Sequence, residues 1–168
     1  MARWLPVFLT AVAVLCPTQA RAQGSFSGRW TLMPERSTVK LPDGQSMVIS
    51  ALGSDLTIQQ TSDRLTVALA NHFPEKWVVM LDGSESRLVS IRDDIGAKDD
   101  QTFRGEWRDE TLLIHITQSR TYNDGRSGTG KRTFELSLNP DGTLRVGMAI
   151  SNDGTMGWSV YRWLEAAE

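Results

Sequence analysis

Apolar residues in this chain keep to every second position. Leu56 and Ile58 alternate with polar neighbours, followed by Leu65, Val67 and Leu69, and then Trp77, Val79 and Leu81. The pattern returns at Leu112, Ile114 and Ile116, at Phe134, Leu136 and Leu138, and at Leu144, Val146, Met148 and Ile150. A last row is Trp158, Val160 and Leu164. Successive side chains of a strand point to opposite faces, so this spacing predicts strands with one buried face. No segment carries a helical stripe. Residues 34–45 are rich in Pro, Ser and charge, and predict a loop with room for one helical turn.

The punctuation agrees with strands. Asp-Gly stands at 43–44, 82–83, 124–125, 141–142 and 153–154. Glycine supplies positive φ in tight turns, and aspartate bonds to the backbone just beyond it. Short turns between consecutive strands make neighbours antiparallel. A long meander of one-sided strands buries its apolar face best by curling until its edges meet, which predicts an all-β, up-and-down barrel of about 8–10 strands. A two-sheet sandwich is the alternative, and it needs long crossing connections that the sequence does not offer.

Residues 1–22 stand apart. Arg3 precedes an apolar run from Trp4 to Leu15, and Ala20-Arg21-Ala22 follows Pro17. A basic start, an apolar middle and an Ala-x-Ala site predict a signal peptide cut after Ala22, hence a periplasmic or secreted protein. The run is shorter than the roughly 20 residues that span a bilayer. A lipid anchor on Cys16 is the runner-up, with bulky Leu15 against it. The expected domain, 23–168, then has no cysteine, so an apolar core rather than disulfides must hold it. The chain has a net charge of −2 and no basic run, which argues against nucleic acid and anionic membranes as partners.

Gly28-Arg29-Trp30, on the first strand, resembles the Gly-x-Trp signature of lipocalins and related calycin barrels. Those barrels carry an arginine on the last strand that packs across the tryptophan, a place that Arg162 in "WSVYRWLE" matches. The run from Phe26 to about Glu165 is also similar to secreted bacterial lipocalin-like proteins of unassigned function. The shared features are a Gly-x-Trp-x-Leu opening, a hairpin like Trp107 to Ile114, and a turn like Leu136 to Leu144. The resemblance implies a structural lid of Gly28, Trp30 and Arg162. Cation–π attraction would hold the guanidinium over the indole at about 0.5–2 kcal/mol.

Catalytic signals are missing. The chain has no Gly-x-Ser-x-Gly and no phosphate-cradling glycine pattern, so no catalytic residue and no cofactor is assigned. His72 sits in a turn before Pro74, and His115 lies on the face opposite the core row, so no metal site is expected. Asp93, Asp94, Asp99 and Asp100 read as a solvated acidic turn.

The expected function is non-catalytic binding of a small apolar or aromatic ligand inside the barrel. The candidate ligand-binding residues are Trp77, Phe103, Trp107, Phe134, Met148 and Trp158. Two other classes compete with it. The glycine-rich segment 121–131, with Tyr122, Arg126 and Lys131, offers a surface for a protein partner. A barrel enzyme using carboxylates or Tyr122 is the third.

Overall fold

The computed structural model describes residues 24–41, 43–47, 52–70, 75–151 and 156–165. The leader reading of residues 1–22, His72 and the Asp-Gly at 153–154 lie outside the described residues. The fold is all-β, as the alternation predicts. Its strands are β1 (Gly28–Leu32), β2 (Thr38–Lys40), β3 (Ser46–Met47), β4 (Asp55–Gln60), β5 (Arg64–Ala70) and β6 (Glu75–Met80). There follow β7 (Glu85–Arg92), β8 (Ala97–Arg108), β9 (Thr111–Tyr122), β10 (Ser127–Leu138), β11 (Leu144–Ile150) and β12 (Met156–Glu165). Two 3-10 turns, Pro34–Arg36 and Asp93–Ile95, are the helical pieces among the described residues.

The strands run round a nearly closed antiparallel barrel in the order β6-β5-β4-β1-β12-β11-β10-β9-β8-β7. The first and last strands pair, with Trp30 opposite Trp163 and Thr31 opposite Arg162. β2 continues the path of β1 along β12 after the turn at Pro34, pairing Thr38 with Trp158. Proline cannot donate to a ladder, so its place between two strands interrupts the pairing.

The barrel seam lies between β6 and the β7–β8 hairpin, where no ladder joins the walls among the described residues. Ser86 Oγ instead donates to the Val78 carbonyl. Gly105 lets the backbones approach closely. A Cβ there would lie 2.6 Å from the Met80 carbonyl oxygen and 3.0 Å from Val79 Cγ1. Gly105→Ala should therefore lose about 1–3 kcal/mol by overpacking, measured by urea unfolding. Stability equal to wild type would show that the seam is loose.

The interior is filled in its middle and at one end. Leu56, Ile58, Leu65, Val67, Leu112, Ile114, Leu136 and Leu144 are all buried, as the alternating rows predict. Trp77 packs on Phe103 and on Phe134, each with ring centroids 5.5 Å apart. At the closed end Phe26 stacks on Trp107 at 5.7 Å and 9°. Trp30 is 3% exposed, and its indole N–H donates to the Phe26 carbonyl at 2.9 Å.

The last strand corrects the sequence reading. Tyr161 opposes inward Leu144, and Ser159 opposes inward Val146; both are fully buried. The inward row is therefore Ser159 and Tyr161, and Trp158, Val160 and Arg162 face out. A one-residue change of parity moves a whole row to the other face. Val160 is buried all the same, because the Pro34 turn crosses it on the outside. Met33 N–H donates to the Val160 carbonyl at 2.8 Å, and Val160 N–H donates to Ser37 Oγ at 3.0 Å. The alternation of Trp158 with Val160 thus reports outer cover, not core.

Candidate functional site

Above the aromatic layer the interior turns polar. Each strand changes character one inward position further on. Trp77 gives way to Glu75, Phe103 to Gln101 and Asp99, Ile116 to Gln118 and Arg120, and Phe134 to Arg132. β6, β8 and β10 run in the same direction, so Glu75, Gln101 and Arg132 form the layer directly above Trp77, Phe103 and Phe134. A cavity of about 160 Å³ is lined by Glu75, Arg92, Asp99, Gln101, Gln118, Arg120 and Arg132. It shares Gln118, Arg120 and Arg132 with an open groove of about 630 Å³ that runs along the β9–β10 ribbon to Tyr122 and Arg126.

Three of these groups are locked. Asp99 is 1% exposed and accepts both Nε and Nη2 of Arg120, at 2.6 and 2.7 Å. The guanidinium holds the Asp99 carboxyl below the usual carboxylate range against the opposing effect of burial. The same pair raises Arg120. Arg92 chelates Asp94 at 3.1 Å at the rim.

The layer below is not closed in this way. Glu75 accepts the Trp77 indole N–H at 3.1 Å and the Gln101 amide N–H at 3.0 Å, both from neutral groups. Arg132 Nη2 donates to the Gln118 side-chain oxygen Oε1 at 2.8 Å, and no ion pair joins Arg132 to a carboxylate among the described residues. Burial pushes the Arg132 guanidinium down, with the charge of Glu75 opposing. Gln101 is 1% exposed, and its Oε1 is buried without a donor. The Ser90 hydroxyl, on the neighbouring strand, is also buried without a partner. Buried polar atoms left unmet are uncommon and costly, and they are met in native structures by water or ligand.

The β9–β10 ribbon leaves room above this layer. The segment 121–131 is a tight hairpin rather than a long loop, since β10 already begins at Ser127. Gly128 opposes Arg120 and Gly130 opposes Gln118. A Cβ on Gly128 would meet nothing within 4 Å. Glycine is thus not required there by the backbone; its effect is an open groove above the long polar side chains. Arg126 lies over the Tyr122 ring at 5.0 Å, and Lys131 is exposed on the opposite face.

No protein-family model matches the chain, and no curated protein is significantly similar to it.

The sequence-predicted ligand residues divide. Trp77, Phe103 and Phe134 pack one another and line none of the cavities described here, and Trp107 is taken up by Phe26. Met148 packs against the core and borders a cleft on the outer wall. Trp158, expected inside, is 40% exposed in that cleft, with Arg145 over its ring at 5.8 Å. The cleft has a volume of about 310 Å³ and includes Lys40, Glu135 and Met156.

The lid is corrected in the same way. Gly28 and Trp30 are buried at the closed end, but Arg162 is exposed and opposes Thr31, on the face away from the indole. Phe26 and Trp107 supply the cover that Arg162 was expected to give. Arg162→Ala should stay within about 0.5 kcal/mol of wild-type stability in thermal unfolding, as a surface change does. A loss above 2 kcal/mol would restore the lid.

Asp93, Asp94 and Asp100 are exposed or partly exposed as expected, whereas Asp99 points inward. The cause is a strand that starts at Ala97, which places Ala97, Asp99 and Gln101 on the inner face. His115 faces out, with its Nδ1 3.2 Å from Thr133 Oγ1 and its Nε2 3.6 Å from Glu106. Among the described residues no group of three or more His, Cys, Asp or Glu is placed to hold a metal ion. None of their helices is long and apolar enough to cross a membrane.

Proposed function

We propose that this chain is a lipocalin-like, exported and non-catalytic binding protein, and that its ligand sits in the polar end of the barrel rather than among the core aromatics. The observation that carries the reading is the abrupt change from a filled aromatic layer to a cavity with an unmet Gln101 Oε1 and a carboxylate-free Arg132. A barrel of this size either fills with side chains or holds one small ligand. Here the lower part is filled and the upper part is lined for hydrogen bonding. The ligand class therefore shifts from apolar to polar.

A second reading keeps an apolar or aromatic ligand but moves it outside, against Trp158. It rests on the cleft beside Met156 and Trp158, which are 58% and 40% exposed.

Saturation-transfer NMR with a library of small polar and aromatic molecules separates the two. Polar hits should be lost in Gly128→Leu, which fills the groove, and kept in Trp158→Ala. Hits lost only in Trp158→Ala, or no hits with wild-type protein, would overturn the polar-end assignment.

A further inference from the structure

The polar layer is made of two half-satisfied poles. On the β6–β8 side, Glu75 carries a charge held only by neutral donors, and Gln101 offers an acceptor without a donor. The orientation of the Gln101 amide is fixed by Glu75, since a carboxylate accepts and only the amide nitrogen can donate to it. Its oxygen is therefore the group left over. On the β10 side, Arg132 carries a guanidinium that meets one amide oxygen and no carboxylate.

Glu75 and Arg132 line the same cavity, yet no ion pair joins them among the described residues. Trp77 and Phe134, one layer below, span the same two walls ring to ring at 5.5 Å. The two opposite charges thus face each other across a space instead of closing it. Asp99 and Arg120 already neutralise one another, and Arg92 is held by Asp94. The unclosed pair, Glu75 with Arg132, has no net charge but a strong dipole. A simple anion would satisfy Arg132 and repel Glu75. A simple amine would do the reverse.

Resting on the polar-end reading, we propose that the ligand is a small zwitterion. Its ammonium group is directed to Glu75 and the oxygen of Gln101, and its carboxylate to Arg132. A free α-amino acid is the simplest molecule of this class. Arginine suits the carboxylate end because its planar fork can donate two parallel hydrogen bonds. The cavity has room for about five water-sized groups, taking roughly 30 Å³ for each. That accommodates the ammonium, the carboxylate and the carbon between them. Any larger side chain would have to leave along the Gly128 groove.

The test is calorimetric titration of the full chain with glycine and alanine, against propionate and ethylamine as the two half-ligands. The amino acids should bind at least tenfold more tightly than either half-ligand. Arg132→Gln should reduce amino-acid binding at least tenfold, and Gln101→Leu should reduce it too. Thermal unfolding of each variant shows whether it is folded. If a variant does not fold, the comparison of the half-ligands with wild-type protein still decides the question. Propionate binding as tightly as alanine would overturn the zwitterion while leaving the polar end as the site. Binding of none of the four, with library hits still lost in Gly128→Leu, would overturn it in favour of another polar ligand. Loss of both signals would overturn the inference and the site together.

Discussion

Trp77→Ala is expected to lower stability by about 3–5 kcal/mol in chemical unfolding, the range for truncating a buried aromatic. The side chain is 2% exposed and touches two rings, Phe103 across the seam and Phe134 on the facing wall. Its removal opens a cavity in the layer that separates the filled core from the polar end. It also takes away the indole donor to Glu75 at 3.1 Å. The loss should thus exceed that of Phe134→Leu, which shortens the same contact without freeing a polar group. A loss below 1 kcal/mol for Trp77→Ala would mean that the aromatic layer is not packed.

Asp99→Asn is the second large effect. Breaking a buried ion pair by removing one partner costs about 3–5 kcal/mol when both partners are fully buried. The Arg120 side chain keeps 30% exposure, so part of the cost is screened, and about 2–3 kcal/mol is expected. The pH dependence follows from the depressed Asp99 carboxyl. A group whose folded value lies below its unfolded one stabilises above the unfolded value, about 3.9 for aspartate, and the contribution is lost as pH falls through the folded value. The gap between wild type and Asp99→Asn should be full at neutral pH and shrink from about pH 4 downward. A gap that is the same at pH 7 and pH 3 would show that the charge of Asp99 contributes nothing.

The rows of Leu, Ile and Val were legible because their environment is one-sided: Leu65, Val67 and Leu69 need only know which face is core. The Asp-Gly turns were legible for a similar reason. Gly83, Gly125 and Gly142 have φ of 83°, 86° and 79°, a region glycine enters without strain. The polar end was not legible, because hydrophobic spacing identifies an inner face only where that face is apolar. Ser86, Leu88, Ser90 and Arg92 alternate on β7 with Val89 and Ile91 on the outside, so periodicity alone points the wrong way. The usable signal was continuation: on β8, Asp99 and Gln101 share parity with Phe103, and on β9, Gln118 and Arg120 share it with Ile116. Following the inward row past its last apolar residue would have found the cavity. The last strand failed for a different reason. Val160 is buried from outside by the Pro34 turn, and a turn's cover leaves the same apolar mark as a core.

Backbone amide chemical-shift mapping by NMR during titration with alanine shows whether ligand enters the polar end of the filled barrel. Shifts should cluster at Glu75, Gln101, Gln118, Gly128, Gly130 and Arg132, with Trp77 and Phe134 moved as the floor beneath them. Shifts clustered at Met156 and Trp158 would place the ligand on the outer wall instead, and no site-specific shifts at all would rule out alanine as the ligand.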